Sequence, residues 1–275
     1  MNLSKNFASL SLVAALSSAS FAGDYLVKSG ETGVGFSLSQ TTFDQFYAGS
    51  VKQPGVPGDR HIQRTSYRSY LYYGIQDDLT LDVSVGYADT SSGLSTDGSL
   101  SDSQIGLSWQ LAHEGESSPL DWMFRTGINI AGNYETGFLS AAGDGENGID
   151  LMTKFGRSLS SNGARGDVEI GYTINNGDVP ESFRLRAGPS FPIGNGLTLD
   201  VSGIYFSGID GIDIGGPGFT GLGDLPRVAE QGVVGEVGLS FIYGHGYYRL
   251  SASQLFDGEN IGEELTFGLY VGFKL

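Results

Sequence analysis

The sequence predicts an all-β protein: a transmembrane antiparallel up-and-down β-barrel of about twelve strands, preceded by a cleaved signal peptide. Three observations predict it. The chain ends in Leu265-Thr-Phe-Gly-Leu-Tyr-Val-Gly-Phe-Lys-Leu275, a period-two run about as long as the roughly 9–11 residues with which a tilted strand crosses a bilayer. The chain begins with an export-type leader. Between the two, similar alternation recurs, and its connections alternate between short and long.

Residues 1–22 read as a signal peptide. Lys5 supplies the positive region, Phe7 to Leu16 a short apolar run, and Ser20-Phe21-Ala22 a small-x-small cleavage site. The run is too short and too rich in Ser and Ala for a membrane anchor. Residues 23–275 remain for a single β-barrel domain, an ordinary length for one.

The strands follow in order. Segments 33–46 and 61–74 alternate weakly; in the second, Tyr67, Leu71 and Tyr73 are assigned outward. In 79–87, Leu79, Leu81, Val83, Val85 and Tyr87 share one face, and Thr80, Asp82, Ser84 and Gly86 the other. Ile105, Leu107, Trp109 and Leu111 form the next apolar face, then Leu120, Trp122, Phe124, Thr126, Ile128 and Ile130. Segment 148–157 is weaker; Val168, Ile170, Tyr172 and Ile174 are clear, and 182–191 is weak again. Leu197, Leu199, Val201 and Tyr205 precede Val233, Val237, Leu239 and Phe241, then a weak 247–256 and the terminal run. Connections near 76–77, 117–119, 162–163, 194–196 and 244–246 are short. Those near 48–60, 89–102, 132–147, 174–181, 206–230 and 257–263 are mostly longer and rich in Gly, Asp and Ser. This is the asymmetry of periplasmic turns against extracellular loops, with both termini periplasmic.

Composition agrees. The mean hydropathy of −0.08 suits strands of which only alternate residues meet lipid. The absence of cysteine excludes disulfides, haem attachment and thiolate metal sites. A net charge of −16 argues against nucleic-acid binding, which needs basic side chains to neutralise phosphate. The 44 glycines fit curved strands and sharp turns. A soluble β-sandwich also alternates, but Tyr67, Tyr73, Tyr87, Trp109, Trp122, Tyr172, Tyr205, Tyr243, Tyr248 and Phe273 lie toward strand ends, as in interfacial girdles.

Catalytic signals are weak. Hydrolase barrels need a His base beside a nucleophile and an orienting carboxylate; His61, His113 and His245 stand in no such constellation. No enzyme and no cofactor is expected. Gly216-Pro-Gly-Phe-Thr-Gly221 matches G-x-G-x-x-G but lacks the strand before and helix after that give the motif meaning. Asp210, Asp213 and Asp224 have no recognised calcium spacing, so a mobile acidic surface loop is expected there, and no metal.

The lumen carries the most information. If apolar faces meet lipid, the interior receives Asp82, Arg125, Asp150, Lys154, Asp167, Glu169, Arg184, Arg186, Asp200, Glu236 and Arg249. Asp167 and Glu169 are expected to face Arg184 and Arg186 across one ladder. Twelve strands lie between the filled eight-stranded and the open 16–18-stranded barrel, so the passage is narrow or occluded. Mixed signs argue against a simple ion-selective ring.

The segment Tyr73-Gly-Ile-Gln-Asp-Asp-Leu-Thr-Leu-Asp-Val-Ser-Val-Gly-Tyr87, followed by Ser103-Gln-Ile-Gly-Leu-Ser-Trp109, resembles the hairpins of the meta-pathway phenol-degradation family of outer-membrane proteins, including its XagA-like members. The resemblance implies an outer-membrane barrel with a transport role and carries over no defined site residue. This chain departs from the usual carboxyl-terminal assembly signal by ending in Leu275, with Phe273 two residues before.

The expectation is a monomeric channel or uptake protein for small, apolar or aromatic solutes, in the outer membrane of a Gram-negative bacterium. Its partners are lipid, lipopolysaccharide and a small solute. The alternative is a non-conducting adhesion barrel acting through acidic loops (Asp97, Asp144, Glu146, Asp210, Asp213, Asp257, Glu259), which would bind divalent cations bridging to lipopolysaccharide or a neighbouring cell.

Overall fold

A computed structural model describes residues 26–53, 55, 61–91, 96–116, 118–134, 136, 142–143, 145–194 and 196–275. The expected leader, Asp144 and the side chain of Asp97 lie outside the described residues. The strands are β1 (Thr32–Phe43), β2 (Phe46–Ala48), β3 (Val51–Gln53), β4 (Ile62–Gln76), β5 (Leu79–Ser91), β6 (Thr96–Ala112) and β7 (Asp121–Ile130). They continue as β8 (Gly148–Ser158), β9 (Arg165–Asn175), β10 (Glu181–Gly194), β11 (Leu197–Ile209), β12 (Gln231–Tyr243), β13 (Gly246–Glu259) and β14 (Leu265–Lys274). All except the β2–β3 hairpin join one closed antiparallel barrel, sealed by the β1–β14 ladder from Gly33↔Lys274 to Thr42↔Leu265. Closure removes every strand edge, which is how β-structure satisfies its backbone in hydrocarbon.

Period-two chemistry decides the faces. On β14, Leu265, Phe267 and Leu269 are exposed while Thr266, Tyr270 and Gly272 are buried. Tyr67, Leu71 and Tyr73 on β4 point outward, as does every apolar residue named above on β5. Aromatic residues form two outer belts. Toward the short turns lie the stacked Phe241–Tyr248 pair, Phe273 edge-on to Tyr248, and Trp122 over Phe155. Toward the long loops lie Tyr67–Tyr87 and Phe183–Tyr205.

The connections 48–60 and 89–102 differ from the sequence reading. The first contains the β2–β3 hairpin. In the second, β5 and β6 remain paired to Ser91↔Thr96, so a hairpin rich in Ser, Thr, Gly and Asp extends beyond the lipid zone. There no lipid imposes an apolar face, so composition no longer separates strand from loop. The loop after Gly221 also turns into a short 3-10 helix, Leu222–Arg227.

Candidate functional site

Chain segments narrow the barrel at both ends. At the short-turn end, residues 27–31 tuck against the inner wall. Val27 is fully buried beside Tyr70, Tyr72 and Tyr270, and its N–H donates to Thr80 Oγ1 at 3.0 Å. Gly30 N–H donates to the Gly74 carbonyl and Gly74 N–H to that of Glu31. Gly74 must be glycine, because a Cβ there would collide with the Lys28 carbonyl.

At the long-loop end the wall turns apolar. Ile62, Ile204, Phe206, Val234 and Leu255 point inward and meet Phe46 and Tyr47 of the β2–β3 hairpin and Ile261 of the β13–β14 connection. A second apolar cluster, Ile214, Leu225 and Val228 with Ala48 and Phe219, stacks the 210–230 loop on the same hairpin. Asn260 joins the three segments. Its Nδ2 donates to Asp213 Oδ1 and the Ala229 carbonyl, each at 2.9 Å. Its Oδ1 accepts from Gly49 N–H at 2.8 Å and Ile214 N–H at 2.9 Å. It sits at φ 57°, a left-handed conformation that asparagine tolerates better than most residues. The result is a lid, apolar underneath, whose three segments one buried amide ties together.

Beneath the lid, charge is paired by a repeated device. An Asp on one strand, a Gly directly opposite on the next, and an Arg on the third meet across the glycine. Asp82 faces Gly106, and Arg125 reaches over it to Asp82 at 2.7 Å. Asp121 faces Gly156, and Arg165 reaches over to Asp121 at 2.7 Å. Asp200 faces Gly238, and Arg249 reaches over to Asp200 at 2.7 Å. A Cβ at Gly106 would sit 2.7 Å from Asp82 Oδ2, and one at Gly238 2.5 Å from Arg249 Nη2, so glycine is what leaves room for each bridge. The rhythm breaks once. Asp167 faces Gly188, but the third strand carries Asp200 where the others carry arginine. At that break a cavity of about 60 Å³ opens among Lys154, Asp167, Glu169, Arg186, Asp200 and Arg249, room for a few waters.

The remaining lumen residues link these bridges. Arg125 also donates to Gln104, whose amide reaches Asn129 and Asp150; Thr173 donates to Asp150 at 2.7 Å. Glu236 accepts from both Arg186 and Arg249 at 2.7 Å. All eleven residues named from the sequence thus face inward. The expected ladder of Asp167/Glu169 against Arg184/Arg186 forms only in part. The register sets Arg186 opposite Glu169 and leaves Gly171 opposite Arg184 and Gly188 opposite Asp167. Asp167 pairs with Arg165 on its own strand, and Arg186 crosses β11 to reach Glu236.

The sequence reading missed Arg64, Arg68, Gln104, Asp121 and Arg165, and the inward Tyr70 and Tyr72; Tyr270 lies inward as the terminal alternation placed it. Arg64 donates to Thr90 and Arg68 to Ser84. Their signal was present: once Tyr67, Leu71 and Tyr73 are outward, residues 64, 68, 70 and 72 are inward. It also missed Glu264, buried beneath the lid with Oε2 lacking a hydrogen-bond partner among the described residues. Burial pushes its carboxyl up to about 8, against the opposing pull of Arg64.

The acidic loop residues serve locally. Asp224 accepts from Thr220 N–H and Oγ1 at 2.6 Å, which holds its carboxyl below the ordinary range, and Asp213 anchors Asn260. Among the described residues, no three His, Asp or Glu side chains lie close enough to hold a metal ion.

The barrel superposes on a COG4313 outer membrane channel from Pseudomonas putida F1 with a TM-score of 0.72, covering 92% of this chain and 98% of that one at 15% identity. The fold is that of an outer-membrane β-barrel. It is also similar to the translocator domain of the autotransporter NalP from Neisseria meningitidis (TM-score 0.52, 11% identity, 96% and 95% covered). The KdgM porin in complex with disordered oligogalacturonate gives a TM-score of 0.51 at 7% identity, with 88% and 99% covered. No family model and no curated relative matches the sequence.

Proposed function

We propose that this chain is a gated outer-membrane channel or uptake protein for small apolar or aromatic solutes. One observation carries the reading: a polar, charge-paired lumen lies beneath a lid that loops, not barrel strands, supply. The apolar underside of the lid is lined by Phe46, Tyr47 and Ile261, so an apolar solute finds contacts there that ions and sugars do not. Below it, paired charges of both signs give a wet wall without the single-sign field of an ion-selective ring. The resemblance of the hairpins to the phenol-degradation family, and the fold shared with a channel, support the same reading. In it, residues 1–22 direct export, 23–275 form a barrel in the outer membrane of a Gram-negative bacterium, and Asp82, Arg125, Asp150, Lys154, Asp167, Glu169, Arg184, Arg186, Asp200, Glu236 and Arg249 line the passage.

A second reading is a closed barrel that acts through its loops, bridged by divalent cations to lipopolysaccharide. It is favoured by the pairing of the interior charges, which leaves the net −16 largely to the rest of the chain. Single-channel recording in planar bilayers separates the two. Stepwise openings whose size changes with Arg186→Ala support a passage. A silent barrel, in the wild type and after lid removal, supports the loop reading.

A further inference from the structure

Arg184 differs from the other arginines of the central lumen. Arg125, Arg165, Arg186 and Arg249 each meet a carboxylate oxygen at 2.7 Å. Arg184 is 9% exposed, yet its Nε and Nη2 have no hydrogen-bond partner among the described residues. The carboxylate it faces, Glu169, stands 3.9 Å from Nη2, beyond hydrogen-bond reach. Donors buried without an acceptor are costly, and a guanidinium more so than most.

The surroundings of Arg184 have two characters. Across one ladder stands Phe206, 1% exposed, and the apolar lining of Ile204 and Val234 lies beside it under the lid. Two residues toward the short-turn end, Arg186 lines the 60 Å³ cavity with Glu169. A greasy ceiling thus meets a buried guanidinium whose Nε and Nη2 lack an acceptor among the described residues.

We propose that this place is a binding subsite for a small amphipathic monocarboxylate, and hence that the solutes carried include aromatic or aliphatic acids. The carboxylate takes the Arg184 fork as a bidentate partner, and the apolar body rests against Phe206 and the lid. Glu169 beside the site disfavours a dianion. The chain as a whole is acidic, net −16, and does not draw anions inward, so selection rests on this interior contact. The proposal rests on the reading of the barrel as a solute channel for its biological meaning, but not for its test.

The test uses the full barrel in detergent, its folded state checked by its gel shift on heating, with calorimetric titration of benzoate, benzyl alcohol and benzylamine. The three probes share a ring and differ in the head group. Benzoate is expected to bind at least tenfold more tightly than the alcohol or the amine. Arg184→Gln lowers benzoate affinity at least tenfold and leaves the alcohol unchanged. Arg184→Lys keeps the charge, so it remains usable where the neutral variant does not fold, and it loses affinity because the fork is gone. Equal binding of benzoate and benzyl alcohol, no benzoate binding, or unchanged affinity in the lysine variant overturns the subsite. Conductance is read separately. A silent barrel that binds benzoate overturns the channel and keeps the subsite; a conducting barrel indifferent to benzoate does the reverse.

Discussion

Removing the Asn260 side chain should unlatch the lid while leaving the barrel folded. The amide makes four hydrogen bonds of 2.8–2.9 Å to Gly49, Asp213, Ile214 and Ala229. At about 1 kcal/mol net for each, their loss weakens lid closure by about 4 kcal/mol, before counting the buried groups left unpaired. That is between two and three orders of magnitude in the ratio of closed to open lid. Two variants separate the causes. Asn260→Gly removes the amide and tolerates the left-handed backbone at φ 57°, whereas Asn260→Ala adds about 1 kcal/mol of strain at that position. Both should raise the open fraction in single-channel recordings, alanine slightly more. The heat-induced gel shift should stay near wild type, because no barrel ladder depends on Asn260. Open fractions indistinguishable from wild type in both variants would refute the latch.

Three further outcomes follow from the same geometry. Glu264 keeps its proton up to about pH 8 when folded, against about 4.5 in its ordinary state, so the folded state binds the extra proton between those values and loses stability as pH rises through that window. Glu264→Gln should flatten the fall in unfolding midpoint between pH 5 and pH 9, and an unchanged slope contradicts the assignment. Asp82→Leu strands the Arg125 guanidinium at 5% exposure and should cost about 3–5 kcal/mol, most of it recovered by adding Arg125→Leu, as measured by denaturant unfolding. Gly74→Ala drives a Cβ into the Lys28 carbonyl; residues 27–31 should come away from the wall and become cleavable by protease at the short-turn mouth, without loss of the barrel.

The faces of the barrel were legible wherever lipid imposes period two. Leu265 to Phe273 and Leu79 to Tyr87 needed no more than alternation, because a one-residue slip would turn every apolar side chain inward. The interior pairing was not legible to the same degree. Long arginines reach across a glycine to the second strand along, so Arg125 finds Asp82 and Arg249 finds Asp200, partners that adjacent-strand reasoning passes over. The glycines that permit this, Gly106, Gly156 and Gly238, look like any others in a chain holding 44 of them. The lid was hidden for a different reason. Phe206 and Ile204 occupy inward positions that a lipid-facing rule assigns to polar residues, and only the folding back of the hairpin at 46–53 gives them something to cover. Val27 lies in a stretch without periodicity, so nothing local announces that it enters the barrel.

Tying the lid down tests whether solute passes beneath it. The chain has no cysteine, so a single engineered disulfide is unambiguous. Gln45 and Glu263 lie opposite one another beside the Phe46↔Gly262 bridge, with Glu263 N–H donating to the Gln45 carbonyl at 2.9 Å, a spacing suited to a cross-strand disulfide. In planar bilayers, the Gln45→Cys/Glu263→Cys barrel should fall silent when oxidised and conduct again when reduced. Equal conductance in both states would mean that the passage does not run under the lid.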